Sequence, residues 1–232
     1  MDQTTSKASS SPSRLLRLSR WLVAHGFRLS WNGSVACVRG WRWSIPLIGA
    51  ILVMIPQNAP PPKNPDNLCE IFAERPEWVA PALAAHEFWD VPVYVLMAIM
   101  YQESSFIANA RPPWYKWMGV VPLYRMSSAY GYSQALDQTW QRYQDERGRW
   151  FASRTRFDDA IDFIGWYNTL SLRVNDIPLN NAQRLYLAYH EGHRGYARKT
   201  WAKKPWLQKV AEKVARRADL YKLQMQQCPN LK

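Results

Sequence analysis

The chain has 232 residues, 47% of them hydrophobic and 14% aromatic, with 13 tryptophans and a formal net charge of +12. So apolar a composition excludes wholesale disorder, and the length suffices for one medium domain with a proper core plus an accessory segment. The charge favours an anionic partner (anionic lipid, or an acidic polymer such as a cell wall), whereas the absence of a Gly-rich phosphate loop, zinc-finger spacing or aromatic-basic RNA pattern leaves no nucleic acid expected.

Residues 1–13 (MDQTTSKASSSPS) are polar and rich in Ser and Thr. Arg14, Arg17, Arg20, Arg28, Arg39 and Arg42 follow, with no acid from Gln3 to Asn64. Residues 1–43 therefore read as a basic, partly disordered cytoplasmic tail. The uncharged run "SIPLIGAILVMIP" lies within 44–57, and "QNAPPPKNPDN" closes it with prolines. A basic flank, an apolar run and a polar exit make an export signal. The run is short of the roughly 20 apolar residues of a full span, but Trp41 and Trp43 are suited to a membrane interface. The expectation is a signal anchor over 44–57, a semi-rigid linker over 58–67, and everything beyond it outside the cytoplasmic membrane. A buried hairpin or helix of the globular domain is the alternative for the run.

Cys37 precedes the run and stays free in a reducing cytosol. Cys69 and Cys228 bracket the globular region, and in an oxidising compartment a disulfide between them would tie its two ends together.

From residue 70 the pattern is helical, with almost no alternation of the strand type. Residues 75–89 read as one helix. Residues 91–104 ("VPVYVLMAIMYQES") read as the next, apolar nearly all round and hence central, with Asp90 and Pro92 at its start. Residues 106–130 are rich in Pro, Ser and aromatics and are expected to form a long loop, an arm or lid with Trp114, Tyr115 and Trp117 at its tip. Helices are expected over 133–148, 157–174, 181–192 and 205–227, with Gly148 and Gly192 as stops and Pro205 as a start. Asp158 and Asp159 fall in a first helical turn, where the dipole favours them. The last helix carries Leu207, Val210, Val214, Ala218, Tyr221 and Met225 on one stripe. The fold class is all-α, over residues 68–232.

In that arrangement Glu103 ends the most buried helix. Desolvation and the partial negative charge of a helix C-terminus both keep a proton on it near neutral pH. A protonated carboxyl at a cleft edge suits donation to a glycosidic oxygen. A glutamate that only caps backbone or pairs with an arginine would look the same in isolation.

Its company is more specific. Glu103-Ser104 after the apolar helix, Gly131-Tyr132-Ser133-Gln134, and Ala188-Tyr189-His190-Glu191-Gly192 resemble, in order, the three sequence blocks of the soluble lytic transglycosylase domain family. The likeness covers about residues 85–200. It implies a lysozyme-like fold and cleavage of the β-1,4 bond between N-acetylmuramic acid and N-acetylglucosamine in peptidoglycan, closing a 1,6-anhydro ring without water. It implies Glu103 as sole acid/base. Ser104 would orient N-acetyl or peptide groups. Gln134 and the backbone around Tyr132 would line the sugar cleft, and Tyr189 would bring its hydroxyl near Glu103. It requires no metal and no cofactor.

The family's Asn-Ala after the tyrosine is His190-Glu191 here, and Tyr130-Gly131-Tyr132 replaces a Gly-Leu pair. If Glu191 faced Glu103, a muramidase-type hydrolysis with two carboxylates would become possible. In "HEGH" (190–193) the histidines are three apart and interrupted by Gly192, which does not fit a zinc helix. The expected partners are peptidoglycan strands, the inner membrane through the N-terminal segment, and a secretion or conjugation machinery needing a local opening. The expected place is the inner membrane with the domain facing the periplasm. An inactive wall-binding scaffold is the rival from another class.

Overall fold

A computed structural model describes residues 60–118, 121–125 and 127–228. The expected tail and anchor, 1–43 and 44–57, lie outside the described residues.

The domain is all-α, as expected, with one small hairpin. Helix α1 (Leu68–Glu74) starts where the Asn67 side chain accepts from the backbone N–H groups of Cys69 and Glu70. A 3₁₀ turn (Pro76–Trp78) leads into α2 (Val79–Trp89), so the expected single helix over 75–89 has two parts. Helix α3 (Val93–Ser104) buries Val93, every residue from Val95 to Met100, and Ser104. Fully burying an aliphatic side chain of this size contributes about 1.5–3 kcal/mol. That is why α3 sits in the middle, against α5, α6 and α7.

The long loop that follows contains an antiparallel hairpin, β1 (Trp114–Trp117) and β2 (Val121–Arg125), with a register shift between Tyr115 and Lys116. Helix α4 (Asp137–Arg147) begins four residues later than the expected 133, and Gly148 caps it in the left-handed conformation. Helix α5 (Phe157–Asn175) buries Phe157, Ile161 and Ile164, with Leu170 packed at the core's margin. Its Asp159 is fully buried, paired with Arg149 at 2.8 Å and Arg156 at 2.7 Å. Its Asp162 accepts from the Tyr143 hydroxyl at 2.6 Å and from the Trp89 indole at 2.8 Å, tying α4 and α2 to α5.

Helix α6 (Ala182–Ala197) does not stop at Gly192. It breaks there, at φ 73° and ψ 157°, and resumes. A second 3₁₀ turn (Thr200–Lys203) precedes α7 (Pro205–Met225), whose stripe of Leu207, Ala211, Val214, Ala218 and Tyr221 is buried against α3 and α6.

The two ends of the domain are stitched together. Cys69 and Cys228 form a disulfide with their Cα atoms 5.3 Å apart. The Leu68 N–H donates to Gln224 Oε1 at 2.8 Å, and Arg217 pairs with Asp66 at 2.6 Å while lying 3.8 Å over the Tyr101 ring. Among the described residues no single helix is long and apolar enough to cross a membrane.

Candidate active site

Helix α3 delivers Glu103 on its last turn. The helix ends because Ser105 adopts φ 52° and its N–H bonds the Tyr101 carbonyl at 2.7 Å. Phe106 follows at φ 60°, a second left-handed residue in a row. Each such conformation costs a non-glycine residue on the order of 1 kcal/mol. Burial offsets the cost, since Phe106 has no exposed surface and packs on Trp78 at 5.6 Å and Tyr101 at 5.5 Å. The carboxyl of Glu103 is thereby held just before an anchored reversal of the chain.

Helix α6 supplies what Glu103 faces. Tyr186 and Tyr189 lie three residues apart, hence on one face. The Tyr186 hydroxyl hydrogen-bonds the Glu103 carboxyl. Tyr189 stands within the field of Glu103, and its own hydroxyl donates to the Ser133 carbonyl at 2.7 Å. That bond ties α6 to the segment 131–134.

The segment is fixed from three sides. Gly131 N–H bonds the Ala110 carbonyl at 2.9 Å, and Tyr132 N–H bonds the Arg154 carbonyl at 3.0 Å. The Gln134 amide donates to the carbonyls of Ala110 at 2.9 Å and Gly131 at 2.8 Å. Gly131 has φ 77°, and a Cβ there would lie 2.0 Å from the Arg154 oxygen, so only glycine fits.

Electrostatics sets Glu103 apart. Burial raises its pKa from 4.5 to about 7, and the Tyr186 hydrogen bond opposes the rise without cancelling it. Part of the residue remains open to solvent. Among the described residues, burial and the Tyr186 hydrogen bond are what shift its pKa, and no second carboxylate does. Glu191 is engaged elsewhere: it pairs with Lys204 at 2.7 Å, accepts from Thr200 and meets His190 at 3.1 Å. Burial pushes Glu191 up, but these bonds outweigh it and bring its pKa to about 2. One carboxyl holds a proton near neutrality and the other does not.

A family model for the transglycosylase SLT domain matches residues 35–228. The chain belongs to that family. Neither a curated protein nor a solved structure matches it. Membership in the SLT family supports a peptidoglycan-acting function of the lytic transglycosylase type.

The SLT-domain residues singled out in the sequence fall in different settings. Glu103, Tyr189 and the backbone of Ser133 come together. The Ser104 hydroxyl is buried and turned back onto the Met100 carbonyl at 3.2 Å. The Tyr132 side chain is buried edge-on against Trp78 at 5.8 Å and Phe157 at 6.1 Å. It lines a cavity of about 250 Å³ with Trp78, Thr155 and Phe157, and Glu103 is not part of that lining. Gln134 holds backbone with its amide nitrogen. His193 stacks on Tyr167 at 4.4 Å and meets the Ser171 hydroxyl at 3.0 Å. Among the described residues no group of three His, Cys, Asp or Glu side chains could hold a metal ion. Tyr186 was not singled out, although its i−3 spacing from Tyr189 on a helix facing Glu103 would have found it.

Proposed function

We propose that this protein is a peptidoglycan lytic transglycosylase in which Glu103 is the only acid/base. Glu103, which keeps its proton up to about pH 7, donates that proton to the oxygen linking N-acetylmuramic acid to N-acetylglucosamine. The C1–O bond breaks and the 4-hydroxyl of the leaving glucosamine carries that proton away. The substrate's own acetamido oxygen stabilises the electron-poor anomeric carbon, in the role that a second carboxylate plays in two-acid glycosidases. Glu103, now anionic, takes the proton from the muramic 6-hydroxyl as that oxygen attacks C1. The product is a 1,6-anhydro ring, and the enzyme returns protonated.

The observation that carries this reading is a lone carboxyl with a pKa of about 7, flanked by Tyr186 and Tyr189. The engagement of Glu191 with Lys204 and Thr200 weighs against the two-carboxylate hydrolase. Tyr186, as a donor to the anion, would steady the glutamate in the second half of the cycle. The same reading has residues 44–57 hold the protein in the inner membrane with the domain in the periplasm. The Cys69–Cys228 disulfide supports an oxidising compartment.

The test is mass spectrometry of muropeptides from purified sacculi treated with the full-length protein. Anhydro ends are expected from the wild type, and none from Glu103→Gln. Reducing ends would establish hydrolysis instead, and no release by either protein would favour a wall-binding scaffold.

A further inference from the structure

Positive charge is unevenly spread over the domain. Residues 199–222, which take in the second 3₁₀ turn and most of α7, hold eight Lys and Arg against two Asp and Glu, whereas residues 60–198 hold fourteen against fifteen. The outer side of α7 presents part of that charge. Trp206, Lys209, Lys213, Arg216, Leu220 and Leu223 recur at intervals of three and four residues, so they share one side of the helix, away from the buried stripe. Neither Lys209 nor Lys213 forms an ion pair with any described residue, and Arg216 meets Glu212 only at 4.0 Å.

A charged outer face is ordinarily a solvated one. This one also leaves apolar side chains in water: Trp206 is 54% exposed, Leu220 41% and Leu223 60%. Cations interspersed with exposed Trp and Leu suit a lipid headgroup layer, with the cations on phosphates and the apolar groups reaching the acyl boundary. A second copy of the chain fits poorly, since pairing would set the same cations face to face.

The start of the described chain lies against the same helix. The Pro65 carbonyl accepts from Tyr221 and Arg217, and Gln224 donates to the Asp66 carbonyl at 3.0 Å. Lys63 N–H bonds Glu74 at 3.1 Å, and the Pro60 carbonyl accepts from Arg75, at the end of α1, which packs on α7. From residue 57, where the proposed membrane segment ends, the chain takes three steps to Pro60, about 10 Å when extended. On that reading the anchor keeps the α1–α7 side of the domain close to the bilayer.

We propose that this stripe of α7 is a docking surface for the anionic phospholipid headgroups of the membrane that holds the N-terminal segment. The proposal rests on the membrane reading above and not on the chemistry at Glu103. Docking there confines cleavage to glycan that passes close to the membrane.

The experiment reconstitutes the full-length protein into bilayer discs of phosphatidylcholine, with or without about one-third phosphatidylglycerol, and reads limited lysine acetylation by mass spectrometry. Labelling of Lys209 and Lys213, relative to Lys116, is expected to fall about fivefold on the anionic discs and to return at high salt. The footprint, rather than association, is the readout, because the arginines of residues 14–42 attract anionic lipid by themselves. Equal labelling on both discs overturns the proposal, even where the N-terminal segment holds the protein in them. Failure to enter the neutral discs would instead sink the anchor reading, and the footprint on anionic discs still decides the role of α7. Purified sacculi, added to the protein in detergent, are the competing arm. Protection of the two lysines by sacculi as strong as that by anionic discs would assign the face to the wall polymer and overturn the proposal.

Discussion

Between pH 4.5 and about 7 a free glutamate is ionised while Glu103 keeps its proton. The folded state then binds more protons than the unfolded one, so stability falls as pH rises through that window. Glu103→Gln removes the penalty. The variant is expected to match the wild type below pH 4.5 and to be more stable at pH 8. A shift of that size corresponds to at most about 3 kcal/mol, less what solvent at the open edge screens. Urea denaturation at the two pH values measures it. Activity should decline as pH rises through about 7, because the acid form is lost. Tyr186→Phe deletes a bond that favours the anion, so the alkaline limb of the pH–rate profile should move upward. An unmoved limb would show that Tyr186 does not act on Glu103. The place of Glu103 at the end of a buried helix was legible in the sequence because an apolar run that ends in a carboxylate is costly. The settings of Glu191 and Gln134 were not. The partners of Glu191 include Lys204, thirteen residues away beyond a turn, and Gln134 bonds Ala110 across the loop. Such pairings depend on how the chain closes on itself.

Among the elements, α3, α5 and α7 were visible because burial imposes a helical period on their apolar residues. The hairpin was not. β1 and β2 carry Pro122 and a register shift, which blur the two-residue alternation. Helix α4 starts later than its sequence pattern predicts because Gln134 takes φ 49°, a conformation that helical patterning does not reveal. Gly131 is the joint on which this segment turns. Gly131→Ala should destabilise the domain by at least about 2 kcal/mol, since its Cβ would strike backbone rather than a yielding side chain. Beside the break in α6, Glu191 pairs with Lys204 at 2.7 Å. Lys204→Met leaves a largely buried carboxylate with only Thr200 and His190, and should cost about 1–3 kcal/mol. Thermal unfolding checks both.

At the scale of the whole domain, α7 closes back on the start of α1 through the disulfide, Arg217 and Gln224. The cysteines predicted this clasp by their placement alone; Arg217 and Gln224 gave no such signal, since each is an ordinary polar residue of an amphipathic helix. The disulfide spans 159 residues, and closing so long a loop contributes about 4–5 kcal/mol in the chain-entropy account. Cys69→Ser/Cys228→Ser should therefore lower the thermal midpoint by about 10 °C without altering the chemistry at Glu103. The enzyme reading depends more on the microenvironment at the end of α3 than on this closure. The most direct measurement is an NMR titration of the Glu103 side-chain carboxyl carbon, assigned by its disappearance in Glu103→Gln. A midpoint near pH 7 is expected. A midpoint at the ordinary carboxylate value of 4.5 would leave no acid to protonate the glycosidic oxygen and would contradict the account.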